Sequence, residues 1–139
     1  MVGRSGELMV ITEGKAFPFG GPEHVDFSVL ETFAYDGPTQ EILTETSEFS
    51  AVCPYSGLPD YARLRITYVP ERKCVELKSL KYYVTSFRNV AIFQEHATAR
   101  IAEDLFRLLA PRSLTVRTIY HVRGGFETTC TVTLPIDHA

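Results

Sequence analysis

The chain contains no tryptophan, only two methionines and only three cysteines. Those cysteines, Cys53, Cys74 and Cys130, are odd in number and far apart. No Cys-x-x-Cys pair and no histidine at finger spacing accompany them, which excludes a disulfide framework and a structural zinc site. No run of about 18 apolar residues occurs, so nothing reads as a membrane-spanning helix. The opening residues Met1 to Glu7 lack an apolar signal core, and the expected setting is cytoplasmic. Positive charge is also scarce. Fourteen Lys and Arg stand against 17 Asp and Glu, a net charge of -3, so there is no basic field for nucleic acid. No Gly-x-Gly-x-x-Gly follows a strand and no P-loop motif exists, so a nucleotide cofactor needs a different cradle.

What is present is a globular balance. The 139 residues are 45% hydrophobic and 22% charged, enough apolar material for one domain with a real core. Residues 1–22 are rich in glycine and small side chains and read as an N-terminal arm, with Phe17 and Phe19 pinning it to the body. Residues 23–139 read as a single domain.

Periodicity sets the element order. Val25 to Val29 alternates weakly, as a strand would. The Asp36-Gly37-Pro38 turn follows. Glu48 to Cys53 reads as a strand, Pro54 to Pro59 as a loop, and Tyr61 to Val69 as the clearest strand, with Ala62, Leu64, Ile66 and Tyr68 on one face. Cys74 to Leu77 reads as one more short strand. From Lys78 the period changes: Leu80, Tyr83, Val84 and Phe87 fall at helical spacing. A second helix carries Ala97, Ile101, Ala102, Leu105, Leu108 and Leu109 on its apolar side, with Glu103 and Asp104 expected in water and Pro111 as its stop. Leu114 to Val122 and Phe126 to Leu134 alternate around a Gly124-Gly125 hairpin signal. The order β-β-α-α-β-β predicts an α+β fold, an antiparallel four-stranded sheet with two helices on one face. The semi-polar, threonine-rich strand faces would suit the lining of a barrel shared between subunits.

Several residues carry chemistry. Cys53 ends a strand at a Pro-Gly loop, where a thiol can meet a substrate or simply pack as a small hydrophobe. If the flanking strands pair, Asp60 comes out nearly opposite, giving a nucleophile beside a proton donor or acceptor. Cys74 and Cys130 lie on apolar phases and read as core. Lys78 and Lys81 share a face near a helix start, where the macrodipole disfavours cations. Either they face solvent, or they and the free N–H groups hold a phosphate. Arg123 could join them or be a hairpin-tip charge. Glu95 could favour the helix dipole or accept from a guanine-like base, and His96 is a further acid–base candidate.

Glu76-Leu77-Lys78-Ser79-Leu80-Lys81-Tyr82-Tyr83 matches, at every position, the signature of the QueF family of NADPH-dependent 7-cyano-7-deazaguanine reductases. Leu30-Glu31-Thr32-Phe33, Cys53-Pro54, Pro59-Asp60, Ser86 to Asn89, Phe93 with Glu95, and Arg123-Gly124-Gly125 follow in family order. The chain thus resembles the short, single-domain form of that family from about Val25 onward. The resemblance implies the tunnelling fold, in which sheets of several subunits close a barrel with active sites between subunits, and an assembly of two stacked pentamers. It implies a four-electron reduction of a nitrile to an amine, with Cys53 as nucleophile forming a thioimide, Asp60 as proton donor and NADPH as hydride source. Substrate contacts carry over to Val75, Glu76, Leu77, Gln94 and Glu95, and NADPH phosphate contacts to Lys78, Lys81 and Arg123. No metal is implied. One departure stands out: many relatives have a histidine where this chain has Gln94, which cannot titrate near neutrality. His96 points about 100° away on a helix and does not replace it.

Three other functions are weighed. A QueF-like amidinotransferase would use the same cysteine on tRNA-bound substrate without NADPH; the Lys78/Lys81 signature and the negative net charge speak against it. A GTP-cyclohydrolase-like enzyme would need a zinc-binding histidine just after the first cysteine, where Ser56 stands. A purine- or pterin-binding module without catalysis would not need Cys53 with Asp60.

Overall fold

The alternating runs form the central sheet of the computed structural model, which describes residues 19–136. Strand β1 spans Thr32–Ala34, β2 Ile42–Val52, β3 Pro59–Val69 and β4 Lys73–Val75. Helices α1 (Leu77–Thr85) and α2 (Gln94–Leu109) follow, then β5 (Ser113–Tyr120) and β6 (Thr129–Leu134). Four strands pair antiparallel in the order β2-β3-β5-β6, and β1 pairs with β4 in a minor antiparallel sheet that the periodicity did not announce. The α+β expectation holds, with two helices packed on the main sheet. Among the described residues no helix is long and apolar enough to cross a membrane.

Residue phase explains the layering. Ala62, Leu64, Ile66 and Tyr68 of β3 and Leu114, Val116, Thr118 and Tyr120 of β5 are all buried beneath the helices. The other layer answers with Leu80 and Tyr83 from α1, Phe87 from the turn just after it, and Ala97, Ile101, Ala102, Leu105 and Leu109 from α2. Phe87 stands edge-on to both Phe49 and Tyr83, with ring centroids 5.5 Å and 5.4 Å apart. Truncating either phenylalanine to alanine would cost about 3–5 kcal/mol in lost burial and cavity formation.

Strand β2 changes phase midway. Its partners run Thr46↔Leu64 and then Phe49↔Ala62, so β2 holds one residue more than β3 over that interval. This β-bulge switches the core-facing set from Thr44 and Thr46 to Phe49 and Ala51, and the next position in that set is Cys53.

Four local expectations are corrected. Val25 to Val29 is not a strand; 3-10 turns occupy Pro22–His24 and Phe27–Val29, and the Asp26 side chain accepts from the Ser28 N–H at 3.2 Å, turning the chain locally. Leu77 is the first residue of α1 rather than the end of a strand, because the Glu76 side chain caps the helix there. Asp104 does not face water: it is 4% exposed and accepts from the Tyr83 hydroxyl at 2.7 Å and from Arg100 Nε at 2.8 Å. Cys130 is half-buried rather than core, whereas Cys74 is buried as expected. Of the N-terminal arm, residues 1–18, including Phe17, lie outside the described residues. Phe19 is 40% exposed, and Gly20 bridges to Val90.

Candidate active site

Three chain segments are brought to the end of β2. The segment after α1 runs alongside it: the Val52 N–H donates to Val90 O at 2.9 Å and the Ile92 N–H to Val52 O at 3.2 Å. That pairing delivers Phe93, Gln94 and Glu95, the start of α2, to the neighbourhood of Cys53. The loop from Pro54 to Leu58 folds back through two backbone bonds, Cys53 N–H to Leu58 O at 2.9 Å and Gly57 N–H to Cys53 O at 3.0 Å, with Gly57 at φ 73°. The β5–β6 hairpin closes the third side. Gly124 and Gly125 sit at φ 56° and 86°, both positive as a two-residue primed turn requires, and Arg123 pairs with Phe126 across it.

These segments enclose a cavity of about 300 Å³. Cys53, Asp60, Gln94, Glu95 and Arg123 all line it, so five of the residues singled out from the sequence share one space. Asp60 extends the core-facing row of β3 and is 5% exposed. It is not directly across from Cys53: its partner is Ala51, and Cys53 lies two residues further along. Cys53 itself is buried, at 7% exposure, rather than displayed on an open loop.

Arg123 joins the two. Its Nη1 donates to Asp60 Oδ1, and its Nη2 lies 3.8 Å from Cys53 Sγ. Burial pushes the Cys53 thiol up, but the backbone N–H groups of Ser56 and Tyr55, the Ser56 hydroxyl and Arg123 together outweigh it, and the pKa falls to about 7. The guanidinium is reciprocally held above its ordinary value, first by Cys53 and then by Asp60. The arrangement is a buried, activated sulfur with a carboxyl beside it, suited to covalent addition followed by proton transfer.

Sequence reasoning missed the aromatic rim. Tyr55 and Phe93 stand edge-on at 6.0 Å between centroids, and both are exposed, at 83% and 45%. Phe126 and His121 line the same cavity. Large aromatics left in water beside a polar cavity suit a planar ring. The signal available was their place, in loops within three residues of Cys53, Glu95 or Arg123.

The signature segment lies elsewhere in the single chain. Val75 is 3% exposed and belongs to the core, with its N–H donating to the Tyr68 hydroxyl at 3.2 Å. Glu76 spends both carboxylate oxygens on the helix start, accepting from the N–H of Lys78 and of Ser79 at 2.8 Å each. Those bonds hold its carboxyl below the usual range. The free N–H groups expected to share a phosphate with the lysines are therefore occupied by a carboxylate. Lys78 and Lys81 are exposed and form no ion pair among the described residues. Lys81 and Leu77 line a separate cavity of about 280 Å³ between α1 and β2. Arg123, engaged at Asp60, does not join the lysines within one chain.

Comparison with known proteins places this architecture. The family model described as QueF-like protein matches residues 59–136. A protein of Thermotoga maritima named NADPH-dependent 7-cyano-7-deazaguanine reductase is 53% identical over 118 residues, covering 84% of this chain and 86% of its own. A protein of the same name from Caldicellulosiruptor bescii is 51% identical over 116 residues, covering 82% and 88%. Among solved structures, the archaeosine synthase QueF-Like in its apo form superposes with a TM-score of 0.61 at 19% identity, over 71% of this chain and 95% of that one. That last likeness concerns the fold alone.

Proposed function

The chain belongs to the QueF family, and from that premise we propose that it is an NADPH-dependent oxidoreductase reducing the nitrile of 7-cyano-7-deazaguanine to the primary amine, a step toward queuosine in tRNA. The observation that carries the reading is the convergence of Cys53, Asp60 and Glu95 on one aromatic-rimmed cavity. The cavity's size and its Tyr55 and Phe93 edges suit a bicyclic base, with Glu95 accepting from the guanine-like N–H edge and Gln94 adding a hydrogen bond.

The chemistry divides one hard reduction into covalent stages. The Cys53 thiolate adds to the nitrile carbon, the π pair moves to nitrogen, and nitrogen takes a proton from Asp60, which gives a thioimide. NADPH, when bound, supplies hydride, one from each of two molecules. After the first hydride and a proton, the carbon–sulfur bond breaks, sulfur leaves as thiolate and an imine remains. The second hydride and proton complete the amine. Covalent attachment keeps the half-reduced carbon in the cavity until sulfur departs.

Lys78 and Lys81 suit the cofactor's phosphates: two exposed cations three residues apart on one helix, without acidic partners among the described residues. Leu77, 60% exposed, faces outward from the same turn. Their separation from the Cys53 cavity is accounted for if the site is completed across subunits. In that arrangement the tunnelling fold closes a barrel, with α1 of one subunit facing the Cys53 cavity of the next. Outer strands β2 and β6 each pair along only one side for most of their length, leaving edges for neighbouring sheets. Two stacked pentamers are the assembly this reading carries.

The deciding experiment mixes the purified protein with 7-cyano-7-deazaguanine and follows NADPH absorbance. Two NADPH consumed per nitrile is the expected stoichiometry. Bound nitrile with no NADPH consumption would overturn the reductase reading.

A further inference from the structure

Arg123 matches a family position expected to hold cofactor phosphate, yet in the folded chain its guanidinium is committed to the reacting pair. Nη1 donates to Asp60 Oδ1, and Nη2 lies 3.8 Å from Cys53 Sγ. Asp60 is 5% exposed and Cys53 7%, whereas the Arg123 side chain is 55% exposed. The charge thus enters from the hairpin side and reaches two buried groups that have no other common side-chain partner among the described residues. The turn that presents it is fixed by the backbone: Arg123 N–H donates to Phe126 O at 2.8 Å, and Phe126 N–H returns the bond at 2.9 Å. Two glycines at positive φ leave the tip free of Cβ groups. A planar fork with several N–H donors can address a sulfur and a carboxyl at once, which a single ammonium cannot do with the same geometry.

We propose that Arg123 is a positioning residue for the reaction, holding Cys53 and Asp60 as one unit through separate nitrogens of one guanidinium, a role distinct from anchoring a cofactor phosphate. The proposal rests on the reductase reading for its relevance to turnover. The sulfur carries negative charge twice in that sequence, before it adds to the nitrile carbon and again when the carbon–sulfur bond breaks. The same guanidinium faces it both times, so both the bond-forming and the bond-breaking steps depend on Arg123. Because only Oδ1 of Asp60 is taken, the other carboxyl oxygen is left for proton transfer to the substrate nitrogen. The charged or titratable groups that line the cavity with Cys53 are Tyr55 from the loop after β2, Asp60 from β3, Glu95 from α2, and His121 and Arg123 from the hairpin.

The test follows alkylation of Cys53 by iodoacetamide across pH, read by peptide mass spectrometry, in the wild-type protein, Arg123→Gln and Arg123→Lys. In Arg123→Gln the profile is expected to move to higher pH, with alkylation near pH 7 slowed about fivefold and alkylation well below pH 7 slowed about tenfold, the ratios that a shift of about one unit produces. Arg123→Lys should fall between the two, since charge returns without the fork. In steady state, kcat should drop in both variants while KM for NADPH stays close to wild type. An unchanged alkylation profile combined with a raised KM would overturn the proposal and return Arg123 to the phosphate. If Arg123→Gln fails to fold, Arg123→Lys decides: a profile superimposed on wild type overturns the proposal, and a several-fold slowing supports it. Alkylation needs neither nitrile nor NADPH, so failure of the reductase reading shows separately, as absent NADPH consumption by the wild-type protein.

Discussion

Cys53 and Asp60 meet at one cavity although they are not cross-strand partners. Asp60 pairs with Ala51, and Cys53, the residue just past the end of β2, is the next position in that core-facing row. The bulge between Thr46 and Phe49 makes this possible, because it turns Phe49, Ala51 and Cys53 toward the phase that Asp60 already occupies on β3. The proposed addition of this sulfur to the nitrile gives the first prediction. Wild-type protein mixed with 7-cyano-7-deazaguanine alone should gain the mass of one substrate. Cys53→Ala should show no adduct and should lose turnover by about a thousandfold or more, since removing a nucleophile removes the covalent path. An adduct that survives the change would place the nucleophile elsewhere. The pH dependence follows from the thiol. Its pKa of about 7 lies below the ordinary thiol value, so the rate of adduct formation should rise about tenfold per pH unit up to about 7 and then level. The sign for stability is the same: the contribution is present above the unfolded thiol's pKa and fades as pH falls through 7.

Asp60→Asn separates proton delivery from nucleophilicity. Asparagine keeps the shape and an acceptor for Arg123 but has no acidic proton. Adduct formation should slow by about a hundredfold or more, the usual worth of a positioned general acid. Alkylation of Cys53 by iodoacetamide, which needs no proton donor, should change far less. Equal losses in both measurements would mean that Asp60 acts by holding the sulfur rather than by donating.

Much of this architecture was legible from pattern. The clean alternation of Ala62 to Tyr68 marked β3, and the spacing of Leu80 and Tyr83 marked the buried face of α1, because burial of one face imposes its period on the residues; Phe87 keeps the phase but lies in the turn past the helix end. The first half of β2 was not legible. A strand that carries a bulge changes its inward phase partway, so Ile42 to Ser47 and Phe49 to Val52 do not alternate as one run. Asp104 was misjudged for a related reason. On α2 it lies beside the water-facing Glu103, and only the tertiary meeting with Tyr83 and Arg100 makes its burial tolerable.

The site was legible in parts for different physical reasons. Cys53 and Asp60 follow from a loop and a register, both local. That Glu76 caps α1 was readable in principle, since an acceptor side chain two and three residues before free N–H groups is a helix-start pattern. The resemblance drew attention away from it toward ligand binding. The position of Arg123 could not be read, because nothing local says which way a hairpin tip leans. The aromatic rim of Tyr55, Phe93 and Phe126 comes from three loops whose meeting depends on the pairing of Val90 and Ile92 with Val52.

Lys78→Ala and Lys81→Ala test the cofactor reading. Each lysine is exposed and capped by no acid among the described residues, so substitution should leave folding and Cys53 alkylation unchanged. A charge-assisted bond to phosphate is worth about 1.5–3 kcal/mol, so each change should raise KM for NADPH by about tenfold to a hundredfold. The effect should shrink as salt rises, because exposed charges are screened. An unchanged KM in the double variant would return both lysines to solvent.

The last prediction concerns what holds α1 against α2, and hence keeps the signature helix in place. Asp104 is 4% exposed and serves three partners: Tyr83 Oη at 2.7 Å, Arg100 Nε at 2.8 Å and Arg107 Nη2 at 3.6 Å. Burial pushes the Tyr83 hydroxyl far up, with the Asp104 charge adding to it, so the phenol stays neutral and acts as donor throughout the useful pH range. Removing the acceptor strands a buried hydroxyl and deprives Arg100 of its carboxylate partner, leaving it only the Pro22 carbonyl at 3.3 Å. Asp104→Ala should therefore lower stability by about 3 kcal/mol in a denaturant titration, in line with breaking one side of a buried pair. Tyr83→Phe leaves Asp104 with both arginines and removes only one neutral donor, so its loss should be about 1 kcal/mol. The order of the two variants is the decisive result. If Tyr83→Phe costs as much as Asp104→Ala, the arginines contribute nothing and the contact is a two-residue hydrogen bond rather than a network. Neither change touches the Cys53 cavity, so adduct formation by the folded fraction should stay at the wild-type rate.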